Sequence, residues 1–597
     1  MADGTLWHSG AFALLHDAET RAPARLFENP VSAIEAHVPG DVIPALDALD
    51  AARARGLHAV GFLAYEMGLA LEPRLVARLE RAQDPAPLLS FGLFEASRQL
   101  SADELATFLD GEGTLNAMTP AWSEDQYRAR FERVQNLIAA GDVYQINLTF
   151  PLTGRCQGSP RALFAALQQR ASARYSALMS LRDRHILSAS PELFIESDGE
   201  TIRARPMKGT APRAALAHDD AALAAALRND AKTRAENMMI VDLLRNDLGR
   251  IAQTGSVAAR SLFDVETYPT LHQMTSTIEA RLTPGAPLRD IMRALFPCGS
   301  VTGAPKIRAM EIIDELEATP RGVYCGAVGH LAPHGALRLN VAIRTLTVSR
   351  DGSAQIGVGS GLVFDSQGRA EYAECLLKAR FLNAGGTFPA LFETLRLERG
   401  AGYTLLDEHL ERLHASAARL GYPCNDTQLR AALDDTSRTN EYAIARVRLM
   451  LMRDGEIKID SHPFSGSLAE PMRLILSSRT MSSTDPLIYH KTTARGFYDG
   501  ERARLADRGC DEVIFLNERG ELTEGTFTNL FVERGGALLT PAVACGLLPG
   551  TLRRRLLATG AAREAVLYPH DLADADHVYI GNALRGLVDA HYIGAES

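Results

Sequence analysis

Lysine is scarce in this sequence, which makes each lysine a candidate for chemistry. Of 63 basic residues only six are lysines, and the others are arginines. Arginine cannot replace a lysine that must lose its proton and act as a nucleophile, because its pKa is too high. Lys458 lies in a segment of alternating polar residues and is expected to be solvated. The five remaining candidates are Lys208, Lys232, Lys306, Lys378 and Lys491.

Two helical segments carry carboxylates that could bind a metal ion. Glu371 and Glu374 are three residues apart, which places both on one face of a helix, with Lys378 one turn further on. Glu236 lies in a second helical segment. A few carboxylates from two helices suit Mg²⁺, a hard ion that keeps several waters and binds substrate oxygens. A solvated face of glutamate and lysine residues would give the same spacing.

Two glycine-rich segments could offer backbone N–H groups to carboxylates. The first, Pro297–Lys306, ends in a lysine but lacks the ending of the phosphate-binding loop of nucleotide-binding proteins. The second, Gly357–Gly361, lacks the spacing of a dinucleotide-binding loop. Ordinary turns stay open as the alternative for both segments.

The last third of the chain holds another set of reactive residue types. Lys491 follows an apolar strand and a polar loop, and Glu524 lies in the segment Leu522–Phe531. Gly550 and Thr551 have the pattern of a helix start. Taken singly, the lysine could be a surface residue and the glutamate a cap.

Composition and charge exclude several classes of function. The net charge is −10 and no Lys/Arg-rich run occurs, so nucleic-acid binding has no electrostatic support. No stretch reaches the roughly 18–20 apolar residues needed to span a membrane, and the N-terminus lacks a signal pattern. Seven cysteines without a CxxC pair indicate reduced thiols and no zinc site. We therefore predict a cytoplasmic protein that binds neither nucleic acid nor membrane.

The elements that must position these residues fall into two predicted domains. Asn383–Thr387 has the composition of a short flexible connector between helical and strand-like sequence. We predict one domain at residues 1–385, with its core at roughly 120–382, and another at 386–597. The first mixes strands with long helices, one of them at Asp230–Leu248, and the second alternates strands with helices. Both domains are predicted to be of the α/β or α+β class.

Six motifs of the first domain together resemble the chorismate-utilising enzymes. They occur in order, which makes a chance match implausible. The resemblance implies a sandwich of two large sheets flanked by helices, with the active site between the sheets and chorismate as substrate. The motifs are Ser190-Pro-Glu192, Arg205-Pro-Met-Lys-Gly-Thr210, Arg234-Ala-Glu-Asn-Met-Met-Ile-Val-Asp-Leu-Leu-Arg-Asn-Asp247, Gly299-Ser-Val-Thr-Gly-Ala-Pro-Lys306, Ile343-Arg-Thr345 and Glu371-Tyr-Ala-Glu374.

One residue of these motifs indicates a subfamily. Lys208 stands where anthranilate synthase large subunits typically have alanine, and a lysine there resembles component I of aminodeoxychorismate synthase. The resemblance implies that a neutral Lys208 amine adds at C2 of chorismate and expels the C4 hydroxyl, after which ammonia adds at C4 and releases the lysine. A lowered pKa is then required for Lys208. Glu192 is the candidate acid for the departing hydroxyl.

The same resemblance implies metal ligands, substrate ligands and a partner. Glu236 and Glu374 would hold Mg²⁺, with Glu371 nearby. Ammonia would come from a separate glutamine amidotransferase subunit, because no glutaminase-type nucleophilic cysteine is recognisable in this chain. The expected substrate-binding residues are His272, Thr302, Arg344, Gly359, Ser360, Gly361 and Lys378.

The second domain resembles the fold-type IV pyridoxal phosphate enzymes, which have a two-subdomain α/β fold. The resemblance implies that Lys491 forms a Schiff base with pyridoxal 5′-phosphate and that Glu524 pairs with the pyridine nitrogen. A homodimer through this domain is also implied, since the family dimerises with its sites near the subunit interface. The residues expected around the cofactor phosphate are Arg412, Gly550, Thr551 and Asn582.

The motifs of the second domain do not separate a lyase from an aminotransferase. A lyase is favoured by linkage, because the expected product of the first domain is the substrate of aminodeoxychorismate lyase. The two activities together would convert chorismate into 4-aminobenzoate for folate synthesis, with release of pyruvate. Two alternatives stay open: an anthranilate synthase component I fused to an aminotransferase, and a second domain that is catalytically silent and only dimerises.

Overall fold

The polypeptide divides into two units, which are described separately. The first comprises Met1–Pro212 and Ala222–Gly385, and the second comprises Arg213–Ala221 and Gly386–Ser597. The predicted connector, Asn383–Thr387, lies outside the described residues. A computed structural model of the chain describes residues 5–17, 22–79, 86–171, 173–214, 217–268, 271–317, 319–382, 389–465, 471–483, 485–505 and 509–595.

Strands dominate the first unit. They are β1 (Phe12–His16), β2 (Ala24–Glu28), β3 (Ser32–Ala36), β4 (His58–Leu63), β5 (Leu89–Phe94), β6 (Arg98–Leu100), β7 (Gly113–Leu115), β8 (Thr119–Pro120), β9 (Gln145–Gly158), β10 (Tyr175–Ser180), β11 (Arg184–Ser190), β12 (Leu193–Ser197), β13 (Thr201–Arg205), β14 (Met207–Pro212), β15 (Ala258–Thr267), β16 (Leu271–Arg281), β17 (Gly303–Ala304), β18 (Ala327–Leu331), β19 (Leu337–Val341), β20 (Thr345–Ser349) and β21 (Ser353–Leu362).

Helices flank these strands along the same part of the chain. They are α1 (Pro39–Ala54), α2 (Met67–Leu71), α3 (Val76–Leu79), α4 (Ala102–Leu109), α5 (Glu124–Ala139), α6 (Pro160–Ala171), α7 (Ala217–Asn229), α8 (Ala231–Gly249), α9 (Leu288–Leu295), α10 (Lys306–Leu316) and α11 (Gly368–Lys378).

The strands of the first unit form two large antiparallel sheets. An eleven-stranded sheet has the order β17-β9-β21-β20-β11-β10-β1-β2-β6, with β7 and β8 paired to β9. A ten-stranded sheet has the order β14-β16-β13-β12-β19-β18-β4-β5-β3, with β15 paired to β16. Side chains of both sheets, such as Leu14 of β1 and Ile195 of β12, belong to one apolar cluster. The predicted sandwich of two sheets flanked by helices is confirmed.

The helix α8 shows how local sequence positions a site residue. The side chain of Asp230 accepts a hydrogen bond from the backbone N–H of Thr233 and so caps the helix start. Ile240, Leu244 and Leu248 are buried along one face. The prediction of a helix over Asp230–Leu248 is therefore correct to within one residue at each end.

The second unit contains two smaller sheets and five helices among the described residues. Its strands are β22 (Leu391–Glu398), β23 (Gly402–Tyr403), β24 (Ile444–Leu451), β25 (Ile457–Pro463), β26 (Met472–Met481), β27 (Glu512–Asn517), β28 (Leu522–Gly525), β29 (Asn529–Arg534), β30 (Ala537–Pro541), β31 (Arg563–Ala565), β32 (His577–Asn582) and β33 (Gly586–Ala595). Its helices are α12 (Leu406–Leu420), α13 (Asp426–Thr439), α14 (Gly496–Ala503), α15 (Thr551–Ala558) and α16 (Pro569–Ala573).

Each sheet of the second unit has its own core. The four-stranded sheet, β23-β22-β24-β25, shares an apolar cluster with α12 and α13. The eight-stranded sheet, β28-β27-β26-β33-β32-β29-β30-β31, buries a separate cluster. The predicted two-subdomain α/β fold is thus confirmed. Among all described residues, no helix is both long and apolar enough to cross a membrane.

Candidate active sites

Lys208 lies on β14 of the ten-stranded sheet and reaches Gly361 on β21 of the eleven-stranded sheet. A Cβ atom built on Gly361 would lie 3.0 Å from the Lys208 amine nitrogen. Burial lowers the pKa of Lys208, and the cation of Lys378 lowers it further, while carboxylates including Glu236 and Glu192 oppose the shift. A lysine with a lowered pKa is more often neutral at neutral pH, as a nucleophile must be.

Glu192 is a second titratable group with an altered proton affinity. Burial raises the pKa of Glu192 to about 7, although a hydrogen bond from Ser300 works in the opposite direction. The Ser300 hydroxyl donates this bond to Glu192 Oε1 at 2.7 Å. A carboxyl of this pKa is protonated often enough at neutral pH to act as a general acid. The sequence analysis did not single out Ser300, although it lies within a glycine-rich motif.

That motif is held in place by its own side chains. Thr302 is buried, and its hydroxyl donates a hydrogen bond to the carbonyl of Cys298 at 3.1 Å. The amine of Lys306 donates to Asp247 Oδ2 at 2.7 Å and to the carbonyl of Leu295 at 3.1 Å. Lys306 therefore anchors the loop to α8. This structural contact accounts for a lysine at this position, and no catalytic role is needed to explain it.

The three candidate metal ligands are not gathered into a ready-made site. Burial raises the pKa of Glu236, and the negative charges of Glu371 and Glu374 contribute to the shift. Glu374 instead forms an ion pair with Lys378, with 2.8 Å between Nζ and Oε1. Across the described part of the chain, no three acidic, histidine or cysteine side chains converge as metal ligands. The spacing of four residues on one helix is the one at which such a pair is expected.

The remaining predicted substrate ligands lie on several elements of the sandwich. His272 is buried on β16, with its Nδ1 atom 3.0 Å from the hydroxyl of Thr267. The backbone of Arg344 is left-handed, with φ of 49°, and burial lowers the pKa of its guanidinium. The guanidinium of Arg344 lies 6.0 Å from the ring centre of Phe381.

The strand β21 brings three further predicted ligands together. Lys378 Nζ donates to the carbonyl of Gly359 at 2.9 Å, which joins α11 to this strand. The Ser360 hydroxyl lies 3.2 Å from the hydroxyl of Tyr127. Next to Gly361 lies a residue that the sequence analysis missed, Gln145 of β9.

Gln145 is buried, and its amide nitrogen has no hydrogen-bond partner among the described residues. That nitrogen is also 3.0 Å from the Cβ position of Gly361. An unpaired buried donor beside the Lys208 amine is available to a ligand. The available sequence signal was a glutamine at the start of strand β9.

In the second unit, one cavity of about 520 Å³ collects the residues predicted around the cofactor. They come from two helices, a loop and two strands of the unit, so the long-range fold alone brings them together. All six predicted residues line the cavity: Arg412, Lys491, Glu524, Gly550, Thr551 and Asn582.

Lys491 and Glu524 both have altered proton affinities in this cavity. Burial lowers the pKa of Lys491 to about 7, and the Arg412 cation contributes. Burial raises the pKa of Glu524 to about 7. The hydroxyl of Tyr498, on α14, donates a hydrogen bond to Glu524 Oε1 at 2.8 Å, and this bond opposes the rise. Tyr498 was not predicted from the sequence.

Arg412 is fixed by a buried carboxylate that the sequence analysis also missed. Its Nε atom donates to Glu393 Oε1 at 2.9 Å, and a second guanidinium nitrogen bonds the other oxygen. His409 Nδ1 lies 2.6 Å from the same carboxylate. Arg412 also donates to the carbonyl of Pro549 at 3.3 Å, immediately before the helix start at Gly550. One cation is therefore oriented beside the first N–H groups of α15.

Gly550 and Asn582 complete the cavity wall. A Cβ atom on Gly550 would lie only 1.9 Å from Asn529 Oδ1, so any larger residue here would have to displace the side chain of Asn529. The amide of Asn582 donates to the carbonyl of Phe527 at 3.2 Å, and its oxygen accepts the backbone N–H of Arg585 at 3.1 Å. The side chain of Asn582 thus shapes the turn that follows β32.

Comparison with known proteins matches each unit to a separate family. Residues 12–384 match the chorismate binding enzymes, and residues 390–593 match the class IV aminotransferases. Aminodeoxychorismate synthase component 1 of Escherichia coli is 46% identical over 252 residues, which are 42% of this chain and 55% of that protein. Anthranilate synthase component 1 of Streptomyces coelicolor is 39% identical over 306 residues, which are 51% of this chain and 58% of that protein.

The chain thus spans little more than half the length of these two relatives. Among solved structures, anthranilate synthase component I of Streptococcus pneumoniae is 28% identical with a TM-score of 0.52, covering 60% of this chain and 92% of that one. The predicted resemblances to both families are confirmed, and the class IV match implies pyridoxal phosphate as cofactor. Since the first match extends over residues 12–384 of 597, the chain belongs to the chorismate binding enzymes, and it carries a class IV aminotransferase domain C-terminal to the matched residues.

Proposed function

We propose that the first unit aminates chorismate at C4 to give 4-amino-4-deoxychorismate. The observation that carries this proposal is Lys208, a buried amine of lowered pKa beside Gly361, in a motif where alanine would indicate anthranilate synthesis. The 46% identity to a protein named aminodeoxychorismate synthase component 1 supports it. We assign the domains as 1–385 and 386–597.

In this proposal Lys208 is the nucleophile and Glu192 the acid. The neutral amine of Lys208 adds at C2 while the C4 hydroxyl leaves with the proton of Glu192. Ammonia then adds at C4, the bond between Lys208 and C2 breaks, and the lysine returns to its amine form. Splitting one displacement into two steps lowers each barrier, because each leaving group departs from an allylic position.

We assign Glu236, Glu371 and Glu374 as the residues that would hold Mg²⁺. Three carboxylates on two helices form a hard oxygen donor set of the kind this ion prefers. Glu371 and Glu374 both raise the pKa of Glu236, so a divalent cation would relieve their mutual repulsion. The ion would supply positive charge to a substrate carboxylate. Ammonia would come from a separate glutamine amidotransferase subunit.

We propose that the second unit binds pyridoxal 5′-phosphate and releases pyruvate from 4-amino-4-deoxychorismate. The cavity residues fit this cofactor: Lys491 is buried with a pKa of about 7, and Glu524 is a buried carboxylate. Arg412 and the start of α15 offer cationic and N–H groups to a phosphate. When bound, the cofactor supplies an electron sink. Lys491 then removes the C4 proton of the substrate and returns it to the departing enolpyruvyl group.

The product of the first reaction is the substrate of the second, and this favours a lyase over an aminotransferase. The combined reaction gives 4-aminobenzoate and pyruvate. We also propose a homodimer through the second unit. The alternatives are an anthranilate synthase fused to an aminotransferase and a silent second unit.

The deciding experiment is a product assay on the full chain with chorismate, ammonia, Mg²⁺ and pyridoxal phosphate. Formation of 4-aminobenzoate and pyruvate in equal amounts is expected, and anthranilate would overturn the assignment of the first unit. Addition of pyridoxal phosphate should produce an absorbance at about 410–420 nm that Lys491→Ala abolishes, as expected for a lysine-bound cofactor. A colourless protein would favour the silent second unit.

A further inference from the structure

Three arginines line the cavity that also contains Lys491 and Glu524, and they make part of its surface positively charged. We call Arg446, Arg502 and Arg585 the arginine cluster. Arg446 projects from the exposed face of β24, Arg502 lies on α14, and Arg585 follows β32. The guanidinium carbons of Arg502 and Arg585 lie 4.5 and 5.5 Å from the ring centre of Phe527, so the two cations share one aromatic side chain.

The arginine cluster has no counter-charge of its own. Of the three other arginines that line the cavity, Arg412 pairs with Glu393 and Arg495 lies 3.4 Å from Asp499. The third, Arg448, lies over the ring of Phe392 at 4.5 Å. Within the described residues, no member of the cluster forms an ion pair, and Arg585 Nε is buried without a hydrogen-bond partner. Neighbouring cations without an anion repel each other, which a folded protein tolerates where a ligand supplies the missing charge.

The lowered pKa of Arg585 also indicates a surplus of positive charge in the cluster. Burial lowers the pKa of Arg585, and the charges of Arg502 and then Arg446 lower it further. The buried carboxylate of Glu512 acts in the opposite sense, but it is already bonded to the backbone and hydroxyl of Thr526. An anion placed among the three guanidinium groups would be held by charge-assisted hydrogen bonds.

We propose that the arginine cluster binds a carboxylate of the second unit's substrate, one that is remote from the reacting amine. This inference rests on the proposed function, because it places the amine beside Lys491. The substrate class is then an amine that carries a carboxylate remote from its reacting carbon. 4-Amino-4-deoxychorismate fits, since it carries one carboxylate on the ring and one on the enolpyruvyl group. The side chain of a branched-chain amino acid does not fit, because it would cover three cations with hydrocarbon.

The test uses the cofactor-loaded full chain and two rigid probes, isophthalate and benzoate, which differ by one carboxylate. We expect isophthalate to bind more tightly than benzoate and to compete with 4-amino-4-deoxychorismate. Arg502→Gln and Arg585→Gln should each lower the affinity for isophthalate about tenfold or more, as expected for the loss of one charge-assisted hydrogen bond. The affinity for benzoate should fall less. KM for 4-amino-4-deoxychorismate should rise by a similar factor with little change in kcat.

Two further variants separate charge from folding. Arg502→Lys should recover part of the isophthalate affinity, because the positive charge is kept. Arg563→Gln, an exposed arginine of β31 that does not line the cavity, should leave both probes unaffected. Absorbance of the bound cofactor should be unchanged in all variants, which shows that the cavity is intact.

The outcomes distinguish this proposal from the proposed function. Unchanged isophthalate affinity in the glutamine variants would overturn the carboxylate site. An altered sedimentation behaviour of the variants with unchanged KM would also overturn it, because the cluster would then be a contact with a second copy. Cluster-dependent isophthalate binding without pyruvate release would support the site and refute the lyase.

Discussion

The Lys208 amine lies 3.0 Å from the position of a Cβ atom on Gly361, although the two residues belong to different sheets. β14 ends one sheet, and β21 lies inside the other. The lysine can extend into the space between the sheets at this point because the facing residue has no side chain. This relationship gives a direct test of where the amination chemistry takes place.

Gly361→Ala should impair amination while leaving the second reaction intact. The added methyl group would lie 3.0 Å from both the Lys208 amine and the Gln145 amide nitrogen, so both must shift by a few tenths of an ångström, and a misplaced nucleophile reacts more slowly. The rate of 4-amino-4-deoxychorismate formation from chorismate and ammonia measures this effect. Gly249→Ala is the matched control, since nothing lies within 4 Å of its Cβ position. Equal rates in both variants would remove Lys208 from the chemistry.

Lys208→Arg should abolish amination as completely as Lys208→Ala does. Arginine keeps the positive charge but stays protonated, so it cannot act as a nucleophile. Release of pyruvate from supplied 4-amino-4-deoxychorismate should continue at the wild-type rate in both variants. If the arginine variant kept some amination activity and the alanine variant did not, Lys208 would contribute a positive charge and not a nucleophile.

Ser300→Ala should shift the pH dependence of amination. Glu192 has to be protonated, so the rate falls as pH rises through its pKa of about 7. The hydrogen bond from Ser300 lowers that pKa, and its removal should move the alkaline limb of kcat/KM to higher pH. Ser197→Ala, which alters a surface turn, should leave the profile in place. Glu192→Gln should lower kcat by about 10²–10⁴-fold.

Tyr498→Phe should weaken binding of pyridoxal phosphate without removing it. The hydroxyl of Tyr498 lowers the pKa of Glu524, so its loss raises that pKa and leaves less carboxylate at neutral pH. A hydrogen bond to a charged group contributes about 1.5–3 kcal/mol, which corresponds to a decrease in affinity of at least about tenfold. Titration of the cofactor absorbance measures the dissociation constant. An unchanged constant at pH 7 would contradict the role given to Glu524.

Glu393→Gln should destabilise the four-stranded sheet of the second unit. Burial by itself would raise the pKa of Glu393, but Arg412 and His409 outweigh it and lower the value to about 2. Because this pKa lies below its ordinary value of 4.5, the stabilisation is present above pH 4.5 and is lost as pH falls toward 2.

Removing one partner of a buried ion pair costs about 3–5 kcal/mol. Hydrogen exchange over Leu391–Glu398, compared between variant and wild type at the same pH, measures the change. The half-exposed Glu398→Gln variant of the same strand is the control. The difference between Glu393→Gln and wild type should shrink as pH falls from 5 toward 3, because the unfolded wild type takes up a proton at Glu393 in this range while the folded protein keeps the carboxylate ionised.

The sequence by itself determined the families, the fold class and the bounds of the long helices. The six motifs are local strings, and the helix Asp230–Leu248 follows from a cap and an apolar stripe that neighbouring residues define. The scarcity of lysine left five candidate nucleophiles, and the motifs selected Lys208 and Lys491 among them.

Only the tertiary structure decided which side chains meet and in which protonation state. Ser300 reaches Glu192 from a point 108 residues further along the chain, and no spacing rule connects them. Gln145 lies beside Gly361 with its amide nitrogen unpaired among the described residues, because tertiary packing sets that contact. The pKa values of Lys491 and Glu524 depend on burial and on charges from distant segments, which the order of residues does not encode locally.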